Sequence, residues 1–412
     1  MRGAKFGVYL GILAGLAGGA GAENLPPAGP EVSGVEEPTE AGFRAWLAAF
    51  EPRALAAGIS QDTLDAAFAD VSLNLSVIDK DRNQNEFTKQ IWDYLDTAVS
   101  EARVQNGRAA MERRRALLDE IEARYGVEAE VVAAIWGLES AYGTFRGNIP
   151  IIEALGSLAY EGRRAGFFEA ELIAALKILQ AGHVRLADFK GSWAGAMGHT
   201  QFMPSSFWKF AEDLRGDGKR DIWTDDPTDA LASAAAYLAK HGWKKGLPWG
   251  IEVTLPMDFP YEQSGERIKK PVSEWMALGV RDVDGRKIPI DAPASVLLPA
   301  GWQGAAFLIF DNFHVIERYN TADAYVIAVG SLSDRLRGGP PIRHGWPRQD
   351  RALSFEEKRE LQALLLARGF DPQGVDGIMG PNTIQAVRLF QKSKGLVPDG
   401  YASVAVLELL RQ

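Results

Sequence analysis

The chain has 412 residues, 46% of them hydrophobic and 24% charged, which are ordinary globular statistics with room for two or three domains and at least one large core. A formal charge of −9 argues against sequence-independent binding to nucleic acid or anionic lipid, since such binding needs an excess of Lys and Arg. The absence of cysteine excludes disulfides, thiolate metal sites and thiol nucleophiles, so packing must hold the fold.

Residues 1–22 read as an export signal: Arg2 and Lys5 supply the positive start, residues 6–16 the apolar stretch, and Ala20-Gly21-Ala22 a small-residue cleavage site before Glu23. The alternative is an uncleaved anchor, although the apolar run is shorter than the roughly 20 residues a spanning helix needs. Residues 23–40, rich in Pro, Gly and Glu, read as a flexible spacer. From 41 to about 246, runs such as EFTKQIWDYLDTAVSEARV, VEAEVVAAIWGLESAYG and DALASAAAYLAKHGW repeat apolar residues every three or four positions and predict a large helical domain. Between 248 and 328 the pattern changes. GIEVTLPM, KIPI, ASVLLPA, AAFLIF and HVIERY are short β-branched or aromatic runs that predict a small sheet inserted into the helical body. A helix over 324–337 returns to that body, 338–352 has the Pro and Gly density of a linker, and 353–412 form a second, small domain.

Within IWGLESAYG, helical geometry places Glu139 on the same face as Val132, Ile135 and Trp136, so its carboxyl is aimed inward. Burial disfavours the charged form and raises the pKa, which is what a general acid needs at neutral pH. A buried glutamate paired with an arginine or capping a neighbouring helix would have the same pattern. The segment GSWAGAMGHTQFMPSSFWKF cannot be a simple amphipathic helix. Its Gly191, Gly195 and Gly198 imply a backbone that something approaches closely, either a ligand or another part of the chain at a packing joint.

These two segments, with DRNQNEFTKQIWDYL, RRAGFF, YLAKHGW and RYNTADAYVIAVGSL in that order, closely resemble the lytic murein transglycosylase B family, over about residues 82–336. The resemblance implies a mainly α, lysozyme-like catalytic domain, cleavage of the β-1,4 bond between N-acetylmuramic acid (MurNAc) and N-acetylglucosamine (GlcNAc), and a 1,6-anhydro product formed without water. It places Glu139 as the single catalytic acid. Ser192 and Gln201 match positions beside the acid, and Tyr237, Tyr319 and Tyr325 match tyrosines around the sugar. Arg163 and Arg164 match a pair that can meet stem-peptide carboxylates. The tyrosines could also be core aromatics, and the arginines a solvated helix face. One acid suffices where other glycosidases use two, because the C6 hydroxyl of the same sugar replaces an activated water.

In DLRGDGKRDIWT, Asp213, Asp217 and Asp221 occupy positions 1, 5 and 9 of a 12-residue loop with Gly218 at 6, the skeleton of a calcium loop. Arg215 at 3 and Thr224 at 12 depart from that pattern, and a plain Asp-Gly turn with an Arg215 salt bridge is the competing expectation. The five histidines show no zinc spacing; His199 could touch substrate or stabilise its loop. At the C-terminus, LQALLLARGF, VDGIMGPNT, AVRLFQ and GLVPDG resemble the small three-helix peptidoglycan-binding domain, with Asp376 and Thr383 near its usual groove. Expected partners are therefore glycan strands and stem peptides, bound by a monomer exported to the periplasm and open to association with the inner or outer membrane, with no nucleic acid and no required cofactor. A lysozyme-type hydrolase, and a wall-binding protein without activity, are the alternatives; Glu153 or Glu161 would be candidates for a second carboxylate.

Overall fold

The computed structural model describes residues 37–82 and 89–412; the expected export signal, most of the spacer and part of the motif starting at Arg82 lie outside the described residues. The helical body opens with α1 (Glu40–Ala56), α2 (Gln61–Phe68), α3 (Leu75–Arg82), α4 (Ile91–Ala98), α5 (Glu101–Arg113), α6 (Arg115–Tyr125) and α7 (Ala129–Ser140). Local chemistry sets several of these starts. The Thr39, Ser60 and Ser100 side chains accept hydrogen bonds from the backbone N–H groups of Gly42, Thr63 and Arg103. The Ser100 cap also explains why EFTKQIWDYLDTAVSEARV, periodic throughout, is two helices: Ser100 is extended and restarts the chain.

A two-residue strand β1 (Ile149–Pro150) leads into α8 (Ile151–Glu161) and α9 (Ala165–Gln180), and pairs with β2 (Lys190–Gly191). Then come α10 (Pro204–Phe210) and α11 (Thr228–Lys240). Helix α7 lies in the middle, packed by α5, α6, α11 and the later α14, and Ala129 and every residue from Val131 to Gly137 on it are buried. A helix apolar all round belongs in a core.

The inserted sheet is antiparallel, in the order β4 (Lys270–Pro271), β6 (Pro293–Leu297), β7 (Ala306–Ile309), β3 (Gly250–Thr254) and β5 (Arg281–Asp282), with α12 (Val272–Ala277) beside it. Val253, Val296 and Leu308 from three strands meet Val272, Trp275 and Phe310 in a core of its own. Two of the five expected strands differ. KIPI forms no strand; its Pro289 lacks the N–H that a ladder needs. HVIERY belongs to a helix, α13 (Asp311–Tyr319), in which Asn312, Phe313, Val315, Ile316 and Tyr319 are buried at helical spacing. Burial at period 3.6 overrides the β-branched composition of that run. Helix α14 (Asp323–Leu336) then returns to the body.

The C-terminal unit has α15 (Phe355–Ala367), α16 (Pro381–Ser393) and α17 (Val404–Arg411) around Leu361, Leu365, Val387, Phe390, Leu407 and Leu410. It contains an internal repeat. Gln362 donates to Asp376 Oδ1 and accepts from Gly377 N, and Gln391 does the same with Asp399 and Gly400. The first Asp-Gly turn is on the surface, whereas the second docks on the body: Asp399 Oδ2 accepts from Trp302 N at 2.9 Å, Arg388 donates to Ser264 Oγ at 2.8 Å, and Tyr401 meets Gln90. The connecting segment is also held, by Glu252, which accepts from Arg343 N and His344 N, and by an Arg348–Asp96 ion pair. Among the described residues no helix is long and apolar enough to cross a membrane.

Gly330 lets Trp249 lie flat on α14, the helix that carries Tyr325. A Cβ there would sit 2.2 Å from the indole, whose Nε1–H is held by Asp334. Gly330→Ala is expected to cost about 1–3 kcal/mol by overpacking, seen as a lower midpoint in denaturant; an unchanged midpoint would show that this contact is soft.

Candidate active site

Helix α7 ends at the residue of interest. Ala141 and Tyr142 follow Ser140 with φ of 48° and 59°, a left-handed turn unusual for two successive non-glycine residues. The turn is held from several sides. Ser140 Oγ donates to His199 O at 2.6 Å and accepts from Gly143 N, while Arg103 donates to Gly137 O and Tyr142 donates to Arg103 O. A cation at a helix C-terminus complements the dipole there. Glu139 is thus fixed at the end of a rigid element and remains half-buried, with an opening to one side.

Among the described residues its carboxyl has one hydrogen-bond partner, the Tyr325 hydroxyl, which donates to Oε1 at 2.5 Å from the first turn of α14. Burial raises the Glu139 pKa from the ordinary 4.5 to about 7, and the Tyr325 bond, which favours the charged form, acts against it. No arginine pairs with it and no second carboxylate shifts it among the described residues. The expected alternative of an arginine-paired or helix-capping glutamate therefore does not describe this side chain.

The other expected residues divide into two groups. Tyr325 reaches the acid directly. Tyr319 and Tyr237 form a buried edge-to-face pair beside it, 5.1 Å between ring centres, with their hydroxyls donating to Thr200 O and Arg318 O. Ser192 Oγ accepts from Ala196 N inside the glycine segment, and Gln201, at φ 51°, donates its amide to Gly198 O and Arg146 O. What approaches these glycines is the chain itself: a Cβ on Gly198 would meet Ile222 O at 2.2 Å, and one on Gly191 would meet Ala196 O at the same distance. His199 is a loop-holding residue. Nδ1 accepts from Trp136 Nε1–H, Nε2 faces Thr224 O at 2.7 Å, and burial lowers its pKa to about 4, so it stays neutral.

Arg163 and Arg164 are not a solvated face. Both guanidinium groups converge on the buried carboxylate of Asp81, with Arg164 also over the Phe168 ring. The calcium skeleton is closed on its own backbone. Asp213 accepts from the N–H groups of Gly216, Asp217 and Gly218, Asp221 from those of Trp223 and Thr224, and Arg215 pairs with Glu120. The carboxylates of Asp213 and Asp221 cap their own loop and Asp217 bonds Lys219 N, and among the described residues these three do not form a group of close acidic ligand atoms.

One residue passed over in the sequence is Tyr94 on α4. It is buried, its hydroxyl has no partner among the described residues, and the Glu139 charge adds to burial in raising its pKa. The only trace in the sequence is its place in IWDYL, where it reads as one more core aromatic.

A rigid mainly helical body presenting one protonatable glutamate at a helix end, ringed by tyrosines, defines a lysozyme-like polysaccharide-cleaving enzyme. Residues 42–334 match the transglycosylase SLT domain and residues 356–410 the putative peptidoglycan binding domain, and the chain belongs to the SLT family of lytic transglycosylases. It is 33% identical over 245 residues to the membrane-bound lytic murein transglycosylase B of Escherichia coli K12, a match covering 59% of this chain and 66% of that relative. SltB3 from Pseudomonas aeruginosa, solved with NAG-anhNAM-pentapeptide, superposes with a TM-score of 0.88 at 48% identity, covering 90% of this chain and 99% of that one. The Escherichia coli Slt35, solved with calcium, gives 0.61 at 28% identity over 73% of this chain and 93% of its own.

A carboxyl held protonated by burial destabilises the fold once it must ionise. Because the folded pKa lies above the unfolded one, the folded state binds more protons between about pH 4.5 and 7, so stability falls as pH rises through that window. Glu139→Gln should therefore be more stable than the wild type at pH 8, by on the order of 1–3 kcal/mol, with the gap closing by pH 5. Denaturant midpoints at the two pH values measure it, and a gap independent of pH would contradict the raised pKa.

Proposed function

We propose that the protein cleaves the MurNAc–GlcNAc β-1,4 bond of peptidoglycan, exo or endo, with formation of 1,6-anhydroMurNAc and with Glu139 acting as acid and then base. The single supporting observation is the isolated carboxyl of Glu139, with a pKa of about 7 and one neutral donor, Tyr325. Protonated, it gives its proton to the leaving glycosidic oxygen. As carboxylate, it then takes the proton of the C6 hydroxyl as that oxygen closes on C1 of the same muramyl unit. Atoms balance without water, and neither a cofactor nor a metal takes part. Tyr325 orients the acid, and Tyr319, Tyr237, Ser192 and Gln201 shape the wall behind it through hydroxyls and amides already bonded to backbone. Arg163 and Arg164 present one positive charge beyond the Asp81 carboxylate towards the stem peptide.

A hydrolytic reading needs a second carboxylate to activate water. Glu153 accepts from Asn74 and Glu161 pairs with Arg82, so both candidates have other partners. The domain assignment is residues 41–337 for catalysis, 338–352 as connector and 353–412 for holding the polymer, which raises the local substrate concentration. Residues 1–22 direct export to the periplasm, where the substrate lies, in keeping with a relative named as a membrane-bound lytic murein transglycosylase.

Digestion of purified sacculi followed by mass measurement tests the reaction: the muropeptides should each be one water lighter than hydrolytic products, and Glu139→Gln should lower turnover at least about 1,000-fold. Hydrolytic masses, or surviving turnover in the variant, would remove Glu139 from this role. The rate should decline as pH rises above about 7, where the acid is lost. Tyr325 holds the pKa down, so Tyr325→Phe should move that decline to higher pH while lowering the plateau; a pH–rate profile distinguishes this from a merely damaged fold, which would lower the plateau alone.

A further inference from the structure

A cavity of about 800 Å³ lies where the C-terminal unit meets the helical body, lined from both sides. It lies close behind the active site, because Asp323 on its wall is two residues from Tyr325 on the first turn of α14. Its walls carry charge of both signs. From the body come Glu266, Glu317 and Asp323; Glu317 Oε2 is 3.0 Å from His314 Nδ1, Glu266 lies within the same group of close donor atoms, and Asp323 is hydrogen-bonded to Glu266. Burial and the neighbouring Glu266 and Glu317 carboxylates raise the Asp323 pKa, so a cation at this wall would relieve the crowding of acidic groups. Arg267, Lys358 and Arg388 line the same cavity, and none of the three has a carboxylate within ion-pair distance among the described residues. Arg388 is held in place by Ser264, and Lys358 is partly buried, with burial lowering its pKa.

Half-exposed groups of both signs on the walls of one cavity suit a ligand that brings both counter-charges. A sugar brings neither. A stem peptide containing a diamino acid brings a side-chain ammonium and free carboxylates. Arg163 and Arg164, the pair expected to meet such carboxylates, already share Asp81. Resting on the function proposed above, we infer that this cavity is a stem-peptide site built jointly by both units: Glu266, Glu317 and Asp323 receive the ammonium, and Arg267, Lys358 and Arg388 the carboxylates. The C-terminal unit then takes part in reading the substrate, and its second Asp-Gly turn, latched by Asp399 on Trp302 N, keeps that wall of the site in place.

The test uses the full chain carrying Glu139→Gln, so that nothing is cleaved, and a GlcNAc–MurNAc disaccharide bearing a diamino-acid stem peptide, compared with the same ligand acetylated on the side-chain amine. Acetylation leaves the protein untouched, and should weaken binding about ten- to a hundredfold, the range for a lost hydrogen bond to a charged group. Glu317→Gln should weaken the free-amine ligand by a similar factor and the acetylated one much less. Lys358→Met should weaken both. Equal affinity for the two ligands would overturn the inference. So would a tight Zn²⁺ or Ca²⁺ site lost in Glu317→Gln without change in peptide affinity, since it would assign the acidic wall to a metal. Neither result touches the reaction itself, which the sacculus digest decides separately.

Discussion

The contact between Tyr325 and Glu139 is where the demands on this fold meet. A carboxyl inside an apolar helix face would be costly if charged, and it is tolerated because it can keep its proton. The tyrosine hydroxyl, donating at 2.5 Å, favours the charged form and so opposes the effect of burial, leaving the pKa at about 7, which suits the acid role proposed for it. An arginine in its place would hold the carboxylate charged and abolish the acid. A purely apolar neighbour would trap the proton. The rest of the helical body serves to keep α7 and α14 in this relation: Gly330 and Trp249 set α14, and Arg103, Tyr142 and Ser140 fasten the end of α7.

The glycine segment acts through the same requirement. Its close approaches to Ile222 and to its own turn bring His199 O under Ser140 and Thr200 O under Tyr319, so a loop that looks like a ligand cradle is the clamp holding the acid's two supports. His199 is buried as a neutral ring for the same reason: a charge there would have to be paid for beside Arg146. Rigid support of a few reacting atoms by residues that never touch substrate is the usual way a site holds its geometry.

The two units of the chain are joined by polar contacts with defined partners rather than by a loose tether. Duplicated Gln–Asp-Gly turns give the C-terminal unit two similar corners, of which one faces outward and the other is bonded to the body. A duplicated device can thus divide between exposure and docking without a change of fold.

Much of this was legible in the sequence. Helical period marked most of the body, and the inward aim of Glu139 follows from its spacing to Val132, Ile135 and Trp136, because side-chain direction on a helix is fixed by local geometry. The ordered motifs placed the family and both units. Tertiary structure alone decided which partners those residues meet: Tyr325 reaches the acid from 186 positions away, Asp81 takes both arginines from about 80, and backbone N–H groups take up the Asp213 carboxylate. It also turned HVIERY into a helix and made Tyr94 a neighbour of the acid rather than a plain core ring. The physical reason is one of range: period and capping act over a few residues, whereas pairing, desolvation and burial depend on segments that packing brings together from far along the chain.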